Sequence, residues 1–169
     1  KQSVSIPLAV KVGPYFSSPG HVALQLVKAG ADGLVLFNRF LQPDINLDTL
    51  ETSPRLALST PFESLLPLRW VAILRGRVQA SLALTSGVHD ADGLIKAILA
   101  GADVGMIASV LYKKGFAQVG EILQAMQTWM EEREYESVEQ MRGSMSQVNC
   151  PDAAAFDRKP LFLNRHGKR

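Results

Sequence analysis

An α/β fold on a parallel sheet, of (β/α) barrel or solenoid type, is what this 169-residue sequence predicts. Three observations carry the prediction. Short apolar runs alternate with helical patterns along the chain. The strand-like runs lack polar–apolar alternation, so both sheet faces are expected to be covered, as in a parallel sheet between helices. And Ala-Gly-Ala-Asp occurs twice, in "KAGADGLVLF" (28–37) and "LAGADVGMIA" (99–108). In each copy a helix stops at glycine and the chain turns into an apolar strand, two strand–helix units apart.

The elements follow in order. "IPLAVKVGP" (6–14) is rich in β-branched residues and ends in Gly-Pro, a first strand. "GHVALQLVKAG" (20–30) sets Val22, Leu24, Leu26 and Val27 before Gly30, a short helix. "GLVLFN" (33–38) reads as a buried second strand. Residues 39–66 then form an insertion far longer than the usual connection of about two to six residues. Within it "INL" and "RLALS" are expected to pair as a hairpin around "DTLETSP". Long insertions at the carboxyl ends of barrel strands usually cover a ligand. Residues 68–77 predict a helix, and "ASLALTSG" (80–87) a third strand. Residues 90–101 predict a helix with Asp90 as N-cap and Leu94, Ile95, Ile98 and Leu99 on one face. "DVGMIAS" (103–109) is a fourth strand. Phe116, Val119, Ile122, Leu123, Met126, Trp129 and Met130 mark a long amphipathic helix, and "SVEQ" (137–140) is a capping box that opens a last short one.

Composition narrows the function classes. With 47% hydrophobic and 20% charged residues the chain is an ordinary globular one, not a disordered one. A net charge of +2 makes no case for nucleic acid or a membrane surface. Much of it sits at the end, where Arg158, Lys159, Arg165, Lys168 and Arg169 face Asp157, so residues 159–169 read as a solvated basic tail. The one cysteine, Cys150, cannot form an intrachain disulfide, lies in a loop-like stretch, and implies a reducing, cytoplasmic setting. No apolar run approaches a membrane span. The chain starts at Lys1 without an initiating methionine, and a processed piece or fragment is the expectation.

Lys11 interrupts an apolar strand. Alternation sets Ala9, Lys11 and Gly13 on one face and Leu8, Val10 and Val12 on the other; the small residues suit a barrel interior and leave Lys11 near its top. A buried ammonium there needs an anionic or strongly accepting partner, which is either a ligand or a neighbouring carboxylate. Asn38 ends the second strand, where its amide can donate and accept toward a planar polar ligand or simply terminate the strand. Phe37 is more often core. Gly87 and Ala108-Ser109 stand at the carboxyl ends of adjacent strands, where bare backbone N–H groups and helix starts build the common phosphate site of barrels. His89 reads as a partly exposed loop histidine and His21 as a first-turn helix residue. Asp44, Asp48 and Glu51 resemble a solvated face, not a metal site. No Ser-His-Asp order, CxxC pair or Walker loop is present.

Together "IPLAVKVGPYF", "AGADGLVLFNRF", "LTSGVHDADGLIKAILAGAD", "MIASVLYKKG" and "YESVEQMRGSMSQ" resemble the dihydroorotate dehydrogenase family, in particular its soluble, dihydroorotate dehydrogenase-like bacterial members. The match runs from about Ile6 to Arg158. It implies the carboxyl-terminal half of an FMN-binding (β/α)8 TIM barrel, strands five to eight: residues 1–158, with the insertion at 39–66. The resemblance assigns Lys11 to the flavin pyrimidine edge and Asn38 to the substrate. It assigns the Ser86-Gly87 turn, with Ala108-Ser109 after the next strand, to the cofactor phosphate, and maps the family's Ser-Gly type turn after the insertion, also cofactor-binding, near Ser59. Ser86 stands where the family has glycine, and Ala108-Ser109 where it has Gly-Thr. The family's catalytic cysteine or serine lies in the loop after strand four, ahead of the matching motifs, so no catalytic base is assigned in this chain. The implied chemistry is oxidation of dihydroorotate to orotate in pyrimidine biosynthesis, with the chain alone expected to be inactive. The implied partners are a small-molecule substrate and either a second copy of the chain or a missing amino-terminal half. The alternatives are a non-catalytic half-barrel that self-associates and another phosphate-binding barrel enzyme.

Overall fold

A computed structural model describes residues 1–55 and 57–156. The basic tail expected at 159–169 lies outside the described residues. Four parallel strands form the main sheet: β1 (Ala9–Val12), β2 (Gly33–Leu36), β5 (Ser81–Thr85) and β6 (Val104–Met106), side by side in that order. The two remaining strands, β3 (Gln42–Asn46) and β4 (Glu51–Arg55), make a separate antiparallel hairpin within the insertion. The helices are α1 (Pro19–Lys28), α2 (Leu65–Leu74), α3 (Ala91–Ala100), α4 (Ser109–Lys114), α5 (Gln118–Glu132) and α6 (Val138–Met141). Each main strand is thus followed by helix, the repeating unit of a half-barrel.

The register explains the core. Val10 pairs with Leu34, Leu34 with Leu82, and Leu84 with Gly105, so these side chains share one sheet face. Leu34, Leu36, Leu82 and Leu84 are at most 1% exposed and pack with Val71, Ala72 and Leu74 of α2. Burying each leucine contributes about 1.5–3 kcal/mol. Leu94 of α3 packs closely over Gly105, its Cδ1 lying 2.4 Å from where a Cβ would stand. Outside this layer, Ile95 and Ile98 of α3 meet Met126 of α5 and Met141 of α6 in a second apolar cluster. The opposite sheet face carries Lys11, paired with Val35, and Val104 and Met106 of β6, which are 52% and 40% exposed.

The Ala-Gly-Ala-Asp repeat has one structural job, done twice. Gly30 and Gly101 take φ of 102° and 120° and end α1 and α3. The aspartate that follows clamps the neighbouring strand in both directions. The Asp32 N–H donates to the Leu8 carbonyl (2.9 Å) while Asp32 Oδ2 accepts from the Leu8 N–H (2.7 Å). The Asp103 N–H donates to the Leu82 carbonyl (2.7 Å) while Asp103 Oδ2 accepts from the Leu82 N–H (2.8 Å). Both clamps set strand register at the amino ends of the sheet. Arg75 and Arg142 add ion pairs to Asp103 at 3.3 and 3.0 Å.

Some expectations shift. The insertion does hold a hairpin, but its strands are "QPDIN" and "ETSPR" around "LDTL", not "INL" and "RLALS". Register is weakly specified there because β3 buries no side chain on either face. The second helix begins at Leu65, ahead of 68, behind a 3-10 turn at Pro61–Ser64 that a complete Thr60–Glu63 capping box opens. Asp90 caps α3 as expected, accepting from the Gly93 N–H at 2.9 Å. The box at 137–140 is half formed: Ser137 Oγ accepts from the Gln140 N–H, but Gln140 Oε1 accepts from Glu136 and not from Ser137. The strand read at 103–109 is shorter, because Ser109 already opens α4. No helix of the described residues is long and apolar enough to cross a membrane.

Candidate functional site

The carboxyl ends of the strands and the insertion enclose a cleft of about 810 Å³. Pro14 after β1, Asn38 after β2 and Ser86 after β5 contribute to its floor, and Phe62, Glu63 and Leu66 of the returning insertion to its wall. Asn38 therefore stands where the sequence placed it, and its N–H is held by the Val12 carbonyl at 2.7 Å. Phe37, beside it, is 5% exposed and is core as well as cleft lining. Arg39 crosses the insertion: Nη1 donates to the Ala57 carbonyl at 2.8 Å and Nη2 pairs with Glu63 Oε1 at 2.9 Å. Glu63 also accepts from the Thr60 N–H through Oε2 at 2.6 Å, so one carboxylate ties both ends of the insertion together.

Beside the cleft, three turns meet at Ser59, which is 4% exposed. Its N–H donates to Ser109 Oγ at 2.9 Å, its hydroxyl pairs with His89 Nε2 at 3.0 Å, and its carbonyl accepts from Lys113 Nζ at 3.0 Å. Residues far apart in sequence, from the insertion, the β5 turn and the start of α4, thus share one polar cluster. Ser86 and Gly87 both adopt φ of 78°. That left-handed geometry is open to glycine and strains a residue with a side chain such as Ser86. Among the described residues, nothing accepts from the N–H groups of Gly87, Val88 or His89, although Val88 is 2% exposed.

Gly87 has a second reason to be bare. A Cβ there would stand 2.3 Å from the backbone N of Ser64, so the insertion's 3-10 turn packs directly on it. The expectation that Gly87 is bare for a ligand alone is corrected to that extent.

Two further expectations are corrected. Lys11 is exposed, because among the described residues nothing covers its face of the sheet, and it does not line the cleft. His89 is not a partly exposed loop residue but is 9% exposed and hydrogen-bonded. Burial, foremost, and the nearby Lys113 ammonium hold its pKa below the ordinary 6.5, against the opposing pull of Asp90 and Glu63. His89 is therefore a neutral imidazole at neutral pH.

No family model matches the chain. Its curated relatives are consistent. The chain is 30% identical over 148 residues to the dihydroorotate dehydrogenase B (NAD(+)) catalytic subunit of Sulfolobus acidocaldarius, a match covering 85% of the chain and 50% of that protein. It is 28% identical over 148 residues to the subunit of the same name from Thermoplasma volcanium, covering 85% of the chain and 48% of that protein. This chain belongs to the dihydroorotate dehydrogenase family. It spans about half the length of the curated relatives it matches. Among solved structures, the ligand-free dihydroorotate dehydrogenase of Eimeria tenella superposes with a TM-score of 0.65 at 17% identity, over 80% of this chain and 39% of that one. That likeness establishes the fold: α/β, of the TIM-barrel family, here as half a barrel.

Of the residues assigned from sequence, Ser59 and Ser109 are brought together in one cluster, Asn38 and Ser86 line the cleft, and Gly87 packs against Ser64. Lys11 stands apart on the open sheet face. Sequence reasoning missed His89 and Lys113 as partners of Ser59. Lys113 had a signal, since it lies four residues after Ser109 and so on the same side of α4. His89 had none, because its partner is thirty residues away, on an irregular insertion that precedes α2 and β5.

Proposed function

We propose that the chain carries the cofactor-phosphate floor and part of the substrate wall of an FMN-dependent oxidoreductase of dihydroorotate dehydrogenase type. Its reaction would be dihydroorotate to orotate, in pyrimidine biosynthesis, in a reducing cytoplasmic setting. The observation that supports this best is the meeting of three turns at Ser59 next to unpaired turn N–H groups. The donor set suits a phosphate monoester: N–H groups of Gly87 and Val88, the Ser59 and Ser109 groups that now satisfy each other, and the Lys113 ammonium close by. Ala108, the N-cap of α4, makes no side-chain cap bond to the first N–H groups of that helix.

Bound there, FMN supplies a two-electron acceptor for hydride. Asn38 offers the substrate ring a donor and an acceptor from the cleft floor. Lys11 presents an ammonium on the sheet face that a closed barrel turns inward, where it stabilises negative charge developing at the flavin pyrimidine edge. Among the described residues no carboxylate pairs with Lys11, so its charge is available for that role. No residue of this chain is assigned as the proton-accepting base, and the chain alone is proposed to have no turnover.

Titration of the purified chain with FMN, followed by flavin fluorescence, tests the reading. Saturable binding that Gly87→Ala abolishes is expected; absence of binding by the unmodified chain overturns it. Dihydroorotate oxidation by the chain above that of a Lys11→Ala control would overturn the proposed inactivity.

The open sheet face supports a second reading, in which the piece is a non-catalytic half-barrel covered by a copy of itself. Val104 and Met106 are exposed there, and β1 and β6 are edge strands. Light scattering separates the two, since a monomer at all concentrations sinks self-association.

A further inference from the structure

Ser59 is where the insertion returns to the barrel, and all three of its polar groups are engaged. Two of those bonds, to Ser109 and Lys113, lead to α4. The third, to His89, leads to the β5 turn. Within five residues of Ser59 the chain becomes the cleft wall, with Phe62 and Glu63 lining it and Ser64 packed on Gly87. The first part of the insertion is tied to the same stretch through Arg39, which reaches both Ala57 and Glu63. Whatever holds Ser59 therefore holds both ends of the insertion and one wall of the cleft. The His89–Ser59 pair is buried on both sides, so breaking it leaves a desolvated group without a partner.

We propose that His89 is a positioning residue. Through its bond to Ser59 it fixes the insertion's returning end on the β5 turn, so that the cleft wall and the ligand-facing N–H groups of that turn move as one body. The link to the insertion stands on the geometry alone. The link to cofactor affinity rests on the flavin reading above. His89 touches no reacting atom in this scheme; its work is transmitted through Ser59.

Three variants separate the hydrogen bond from the volume of the ring. His89→Phe keeps the ring and removes the bond. His89→Gln keeps a polar end near the place of Nε2. Ser59→Ala removes the same bond from the other partner, and reads it even if His89→Phe fails to fold. Amide hydrogen exchange over residues 57–64, in the 169-residue chain without ligand, is the first readout. Exchange there is expected to rise about tenfold in His89→Phe and in Ser59→Ala, the size of one buried hydrogen bond. It is expected to stay near wild type in His89→Gln and to rise no further when His89→Phe and Ser59→Ala are combined. Wild-type exchange in folded His89→Phe overturns the proposal.

Flavin titration is the second readout, and about tenfold weaker FMN binding in His89→Phe is expected. Faster exchange with unchanged FMN affinity overturns the coupling. Absence of FMN binding in the wild-type chain overturns the flavin reading instead, and exchange then decides the role of His89 by itself.

Discussion

The two ends of the main sheet solve opposite problems with similar means. At the amino ends, Asp32 and Asp103 each exchange two hydrogen bonds with the adjacent strand, and the donors and acceptors close on one another within the chain. At the carboxyl ends, the turn after β5 leaves N–H groups without acceptors among the described residues, and Ser59 and Ser109 meet across loops. The amino-end motif is repeated almost letter for letter, while the carboxyl-end turns, Ser86-Gly87 and Ala108-Ser109, differ from each other. A closed hydrogen-bond clamp is a stability device and can be copied; open donors are useful only where a particular ligand meets them. This is the division of labour expected between the two faces of a barrel.

The sharpest way to break the comparison is at Asp103. Asp103→Ala removes the acceptor of the Leu82 N–H and leaves Arg75 and Arg142 without their carboxylate. A loss of about 2–4 kcal/mol is expected in urea unfolding, with an unchanged m-value. FMN affinity of the folded fraction should be unaltered; a loss of binding without a loss of stability would reverse the assignment of the two ends.

Gly87→Ala acts at the other end. The left-handed φ costs about 1–2 kcal/mol for a residue with a Cβ, before the collision with Ser64 is counted. Loss of ligand binding should exceed what the stability loss explains, because the insertion must shift off the turn. Equal effects on both would mean that the turn is structural.

A smaller effect distinguishes the ends by pH. His89 has its folded pKa below its unfolded value near 6.5. The unfolded chain therefore binds the proton first, and stability falls as pH drops through 6.5 toward the folded pKa, remaining whole above 6.5. Urea midpoints measured across this range in wild type and His89→Gln should converge above it and separate below it. Parallel curves would remove His89 as the source. The smallest effect belongs to Lys11→Ala, which should leave stability within about 0.5 kcal/mol because the side chain is exposed, while weakening FMN binding in a barrel whose face is closed.

Much of this was legible in the chain. The four strands, the α3 cap at Asp90 and the helix-ending glycines follow from local pattern, because apolar period and capping chemistry act over a few residues. Asn38 was legible as a strand-end amide. The insertion's pairing was not, since "QPDIN" and "INL" fit an unburied hairpin equally well and no core selects between them. The exposure of Lys11 was not legible either, because alternation names a face without saying what lies against it.

By itself the sequence determined the parallel α/β order, the helix-ending glycines of the Ala-Gly-Ala-Asp repeat and the bare turn at Gly87, all fixed by interactions short in sequence or by backbone sterics. Only the tertiary structure decided that Ser59, His89, Ser109 and Lys113 form one cluster and that Ser64 is seated on Gly87. Those contacts close loops of tens of residues, and their geometry is set by how the insertion folds back over the sheet, which no local propensity encodes.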